Sequence, residues 1–304
     1  IFTHVFYIET CTVSLDNLML LMLMLSCKFN NDSDVSIDGS STVGPITNAV
    51  VEEFALENKG VDIAVGVSGT GGGFKKFVAG EIDIANASRP IKDSERKKAE
   101  ENGIEFLELN VAIDGITVVL NSKNDWISQM TDEELKKLWE HDSKIKKWND
   151  INPNYPNIDI KLYGPDQDSG TYDYFIEEIL GHDNKIRADY SPASDDNQLV
   201  HGVEGDRGAI GYFGYAYYLA QKDKLKAMDI NGVSPTDENI MEGKYKPLSR
   251  PLYIYVNKKS LIEKPLVKLF VLFYFQKANQ LVKEEGYVPL KNYEEIEKLI
   301  NSIK

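Results

Sequence analysis

Three short segments of this chain combine glycine with side-chain hydroxyls: Gly39-Ser40-Ser41-Thr42-Val43-Gly44-Pro45, Ser68-Gly69-Thr70-Gly71-Gly72-Gly73-Phe74 and Asp168-Ser169-Gly170-Thr171-Tyr172-Asp173-Tyr174-Phe175. Each stands between a strand-like and a helix-like stretch. The start of a helix presents unpaired backbone N–H groups and the positive end of a dipole, which together seat an anion. Ser and Thr add hydroxyl donors there without adding charge. Three such segments predict one small oxyanion held from several sides.

The rest of the composition narrows how that anion is held. The chain has 304 residues, enough for two lobes with separate cores, and a formal net charge of −14. A surface of that sign, with no basic stripe, argues against nucleic-acid and anionic-membrane partners. An anion site here must therefore work through aimed dipoles and an arginine. The four histidines, His4, His141, His182 and His201, show no metal-ligand spacing, and no cofactor is expected.

Both cysteines, Cys11 and Cys27, lie near the start. The apolar run from Leu18 to Leu25 is far short of a membrane span and reads as the core of an export signal. Ser26-Cys27 resembles the cleavage site of a bacterial lipoprotein, with Cys27 acylated and a polar tether following. The alternative is a buried N-terminal helix.

Val35 to Gly39, a helix from Ile46 to Asn58, an inner strand from Val61 to Val67, a helix from about Gly73 to Ala79, a strand at Ile82 to Ala87 and a charged helix from Asp93 to Asn102 form a βαβαβα series. That pattern predicts an α/β fold with a mostly parallel sheet and its ligands beyond the strands' carboxyl ends. Val111 to Asn121 reads as a strand interrupted at Asp114-Gly115 while crossing between lobes. Leu252 to Asn257 reads as a second crossing strand that mirrors Ile116 to Asn121. The tyrosines around Gly211-Tyr212-Phe213-Gly214-Tyr215 read as core or interlobe packing. The resulting plan is a signal-like segment at 1–26, a tether at 27–34, a discontinuous lobe 1 from 35–115 and 251–304, and lobe 2 from 116–250.

With Ala85-Asn86-Ala87-Ser88-Arg89-Pro90 and Ala112-Ile113-Asp114-Gly115 added to the three hydroxyl segments, the chain from Val35 onward resembles the bacterial phosphate-binding proteins, receptors of phosphate ABC importers. The resemblance implies a two-lobed periplasmic-binding-protein-like fold of type II with the ligand cleft between lobes. It implies phosphate as ligand, a permease with cytosolic ATPases as partners, a monomer lipid-anchored in the periplasm or at the cell surface, and no enzymatic activity. By position it implies that Ser41, Thr42 and the Val43 amide, the Ser68 hydroxyl, and Ser169, Gly170 and Thr171 hold the anion. Where the family carries an arginine and an acid before that serine, this chain has Pro165 and Gln167. Arg89 stands where the family has an acid, so Arg89 is expected to supply the fork, and Arg187 is a second candidate or a loop brace.

Phosphate near neutrality keeps a proton and sulfate does not, so a carboxylate acceptor separates them. Asp114 is the first candidate, or else an interlobe turn or a partner of Arg89. Asp168 is the second, or else a helix N-cap. Rival readings are a receptor for sulfate, molybdate or tungstate, a phosphatase on the same seat, and a surface antigen.

Overall fold

A small parallel ladder opens the fold. The computed structural model describes residues 33–303 apart from 168 and 182–184, so the export-signal, lipidation and Asp168 expectations lie outside the described residues. Residues Asp34–Lys304 form one compact unit. Strands β1 (Val35–Gly39), β2 (Ile63–Val65) and β3 (Ile84–Ala87) run parallel, with β1 between the other two. Helices Gly44–Glu57, Gly69–Val78 and Asp93–Glu101 follow them in turn, as the βαβαβα pattern requires. The last stops where Gly103 adopts a φ of 69° and the Ile104 amide returns to the Ala99 carbonyl.

Two expectations are corrected here. Strand β2 is not an inner strand but ends the sheet, is only partly buried, and leaves Val67 59% exposed beyond it. The glycine run Gly69 to Gly73 is not a loop but the first turns of a helix. Packing explains that start: a Cβ on Gly73 would stand 2.6 Å from the Gly39 Cα. Only glycine lets this helix lie so close to the end of β1, and that contact outweighs glycine's low helix propensity.

The other strands are β4 (Phe106–Asn121), β5 (Gln129–Met130), β6 (Lys161–Pro165), β7 (Ser191–Ala193), β8 (Ala209–Gly214), β9 (Leu225–Ala227), β10 (Asp229–Ile230) and β11 (Ser249–Asn257). The main sheet runs β2-β1-β3-β11-β4-β8-β6-β7, with β9 also on β4. Strand β4 is the spine, and Asp114-Gly115 does not interrupt it. Its first part, Phe106 to Gly115, pairs antiparallel with β11, and its second part, Ile116 to Leu120, pairs antiparallel with β8. The returning strand thus lies beside the first part of β4, not as a counterpart to Ile116–Asn121.

The burial pattern follows this division. Val35, Ile37, Phe54, Leu109, Ile254, Phe270 and Tyr274 share one core, and Ile116, Val118, Trp139, Phe175 and Tyr212 share another. Tyr212, Phe213 and Tyr215 are buried, as their packing role requires. Phe175 stacks on Tyr212 with centroids 3.8 Å apart, and Trp139 meets Tyr212 edge-on. Each such pair contributes about 1 kcal/mol beyond area burial and fixes the helix Gly170–Phe175 on β8.

Asp83 ties the far end of the first half together. Its carboxylate accepts from the Ser36 amide at 3.0 Å, the Ser260 hydroxyl at 2.6 Å and Lys264 Nζ at 3.0 Å. Burial pushes this carboxyl up, but Ser260, Lys264 and Ser36 together hold it below its ordinary value. Asp83→Asn should therefore cost about 2 kcal/mol in urea unfolding at pH 7. Because the folded carboxyl titrates below the unfolded one, the difference between parent and variant should be full above about pH 4 and shrink as pH falls further.

Candidate anion-binding site

The chain turns from β1 into its helix at Gly39, whose φ of 141° and backbone approach exclude a side chain: a Cβ would meet the Asn86 carbonyl oxygen at 2.1 Å. The Ser40 amide donates to that same carbonyl at 2.9 Å, and the Thr42 amide donates to Ser40 Oγ at 3.2 Å. Val43 is the N-cap residue of the helix Gly44–Glu57, and Pro45 stands in its first turn. Ser40 and Thr42 are buried, whereas Ser41 is exposed.

These residues form one wall of a cavity of about 260 Å³ lined by Ser40, Ser41, Thr42, Gly69, Thr70, Gly71, Ser88, Arg89, Asp173, Glu177 and Arg250. Gly69, with a φ of 76°, aims Thr70 and Gly71 into it. Thr70 and Ser88 are joined, hydroxyl to hydroxyl at 3.1 Å and Ser88 amide to Thr70 Oγ1 at 3.2 Å. The second half supplies Asp173 and Glu177, four residues apart along one helical stretch that widens into a π-helix at Ile176–Leu180.

Arg250 occupies the junction. It pairs directly with Asp114 across the β4–β11 ladder, at the point where both strands leave one half for the other. Its Nε lies 3.3 Å from Asp114 Oδ2, its Nη1 3.4 Å from Glu177 Oε2, and its Nη2 3.2 Å from Thr42 Oγ1. The guanidinium lies over the Tyr174 ring, 3.6 Å from its centroid, and Tyr174 Oη is anchored on the Pro247 carbonyl. One side chain thus touches the first loop, the crossing strand and the second half's helix.

Several predicted residues fall elsewhere. The exposed Ser68 faces a separate hollow lined by Lys75, Lys76 and Lys98, with its amide held by Asp38 at 2.9 Å. Thr70 takes the cavity position, because the helix starts at Gly69 and turns Ser68 outward. Asp114 is not in the cavity wall: it is buried behind Arg250, and burial pushes its carboxyl up against the pull of that arginine. Arg89 reaches the wall, but its fork is bidentate to Glu95 at 2.9 and 2.8 Å. Ser169 Oγ accepts from the Thr171 amide and caps its own helix. Gly170 comes against the first loop, since a Cβ there would lie 3.4 Å from Thr42 Oγ1. Arg187 is the loop brace, bonded to Asp189 and to the carbonyls of Leu138 and Ile145. Arg250, Asp173 and Glu177 were not singled out from sequence. The available signal was an arginine opening an apolar strand, matching an aspartate set inside the other crossing strand.

The family described as a PBP superfamily domain matches residues 30–278. The chain is 42% identical over 279 residues to the phosphate-binding protein PstS of Staphylococcus saprophyticus, covering 90% of this chain and 86% of that one. The chain belongs to the PstS family of solute-binding receptors, within the PBP superfamily. It is also 48% identical over 263 residues to protein SphX of Synechococcus elongatus, covering 84% of this chain and 77% of the relative. The crystal structure of a possible phosphate binding protein from Planctomyces limnophilus superimposes with a TM-score of 0.82 at 45% identity, covering 88% of this chain and 95% of that one. Its family is a receptor family and not an enzyme family, and the fold is the two-lobed α/β arrangement of its relatives. His201 stands on the surface beside Glu204, outside the cavity wall.

The Arg250–Asp114 pair makes a stability prediction independent of any ligand. Arg250→Met leaves a buried carboxylate without its cation and should destabilise the fold by about 3 kcal/mol. Asp114→Asn added to it should recover much of that loss. Chemical denaturation of both single variants and the double variant checks it as a coupling cycle.

Proposed function

We propose that the chain captures inorganic phosphate in the cavity around Arg250 and delivers it to an ABC-type importer. The observation that carries this reading is the state of the arginines. Arg89 and Arg187 are engaged by carboxylates at 2.6–3.0 Å, whereas Arg250 has no bond shorter than 3.2 Å to its three partners. Charge-assisted bonds of full strength run at about 2.8 Å, so Arg250 has donor capacity left for an oxyanion. The hydroxyls of Ser40, Ser41, Thr42, Thr70 and Ser88 surround it. The Val43 amide of the first loop, with Gly170, which already lies against Thr42, and Thr171 beside it, joins them once the cleft closes.

In this reading residues 35–115 and 251–304 form one lobe and 116–250 the other, hinged where β4 and β11 cross. The two largest hydrophobic cores divide near these points, although Ile113 and Val288 of the first lobe pack into the second lobe's core, and this supports it. Donors from both lobes meet only in the closed form, so the anion stabilises that form by differential binding. The permease and its ATPases then accept the cargo. The receptor works as a monomer outside the cytoplasmic membrane, held there by a lipid on Cys27. Among the described residues no helix is long and apolar enough to cross a membrane.

Asp173 is the proposed acceptor of the phosphate proton, in place of Asp114. It lines the cavity, and burial together with neighbouring Glu177 pushes its carboxyl up against the pull of Arg250. A carboxylate facing sulfate would meet an oxygen with no proton to share.

Calorimetric titration with phosphate tests the reading, with sulfate, molybdate and tungstate as competitors. Arg250→Ala should weaken phosphate binding by at least about tenfold, the scale of a lost charge-assisted contact, while Arg89→Ala should cost less than about threefold. The reverse order would move the fork back to Arg89. Asp173→Asn should narrow the preference for phosphate over sulfate, and unchanged selectivity would remove Asp173 from that role.

A further inference from the structure

Glu177 presents a carboxylate to Arg250 inside a cavity that, in the reading above, exists to take an anion. Its Oε2 lies 3.4 Å from Nη1, on the edge of the guanidinium that also meets Thr42 Oγ1 through Nη2. The other edge is spent on Asp114 through Nε, and one face is covered by Tyr174. The edge bearing Nη1 and Nη2 is therefore where an incoming oxyanion gains a bidentate seat, and Glu177 holds half of it. The contact is longer than a full-strength charge-assisted bond, and the Glu177 side chain keeps 34% of its exposure against 13% for Arg250. A carboxylate with that much exposure can swing aside. A buried one such as Asp114, at 5%, cannot.

The helix geometry favours such a swing. Glu177 sits in the π-helical segment Ile176–Leu180, a wider turn of the kind that recurs at functional sites. The remaining charged groups on this cavity are Asp173, one turn earlier on the same face, and Arg89, whose fork is closed by Glu95. Arg89 also feels the Glu177 charge across the cavity, but its donors are held by Glu95, so among the described cations of the wall it is Arg250 that bonds Glu177 directly.

We infer that Glu177 is a resident counter-ion of Arg250 that phosphate displaces on binding and that reclaims the arginine on release. It occupies the open edge of the arginine in the empty site and sets how readily cargo leaves. The inference rests on phosphate being the ligand. It assigns Glu177 a role in exchange and not in holding the anion.

The test is phosphate titration by calorimetry and stopped-flow dissociation on the parent, Glu177→Gln and Asp173→Asn. Glu177→Gln should bind phosphate at least about fivefold tighter, with the gain carried by slower dissociation. Glu177→Ala repeats the measurement should the glutamine variant fail to fold, as judged by thermal unfolding. Unchanged or weaker phosphate binding in the Glu177 variants overturns the exchange role. An equal gain in Asp173→Asn also overturns it, since the effect would then follow net charge and not contact with Arg250. A parent that does not bind phosphate defeats the proposed function itself, and this inference with it.

Discussion

The cross-strand pair of Arg250 and Asp114 is the constraint on which the rest of the site depends. A charged pair opposite one another in a central sheet is costly to bury unless both partners are satisfied. Here Asp114 fixes the rear edge of the guanidinium and Tyr174 supports its face, so the remaining donors point in one direction only. The sheet thus does for Arg250 what a packed second layer does in other sites: it removes rotational freedom before the ligand arrives. The two hydroxyl segments of the first half then have a fixed cation to converge upon.

That position also explains why so negative a protein can hold an anion. The net charge of −14 gives no help at long range. In the proposed site the first-half wall instead uses neutral donors, Ser40 with Thr42 and Thr70 with Ser88, set beyond the strand ends and tied in two pairs. Neutral donors attract an anion without drawing in bulk counter-charge, and their mutual bonds keep them from collapsing into the cavity when it is empty.

Much of the first half was legible in the sequence because its signals are local. Strand, glycine turn and helix follow within a few residues at Gly39 to Pro45, and the backbone at Gly39 tolerates no side chain, as that motif implies. The choice between Ser68 and Thr70 was not legible. Local propensity reads the glycines after Ser68 as loop, and only the contact of Gly73 with β1 makes them helical and turns Ser68 outward. Arg250 was hidden for a different reason. Its meaning lies in a register 136 residues away, and no local pattern carries a register. Arg89, by contrast, was conspicuous beside Ser88, yet Glu95, six residues on, takes its fork.

The uninterrupted course of β4 has one more effect. Sixteen residues of a single strand serve as an edge-to-edge template for β11 on one side of the junction and β8 on the other. A one-residue slip of this strand would exchange its two buried faces, setting Val119 into the core that Val118 and Leu120 fill. Both halves therefore take their alignment from the same strand. Neither is a module that could be lifted out and graft its chemistry onto another scaffold without the spine it borrows from its neighbour.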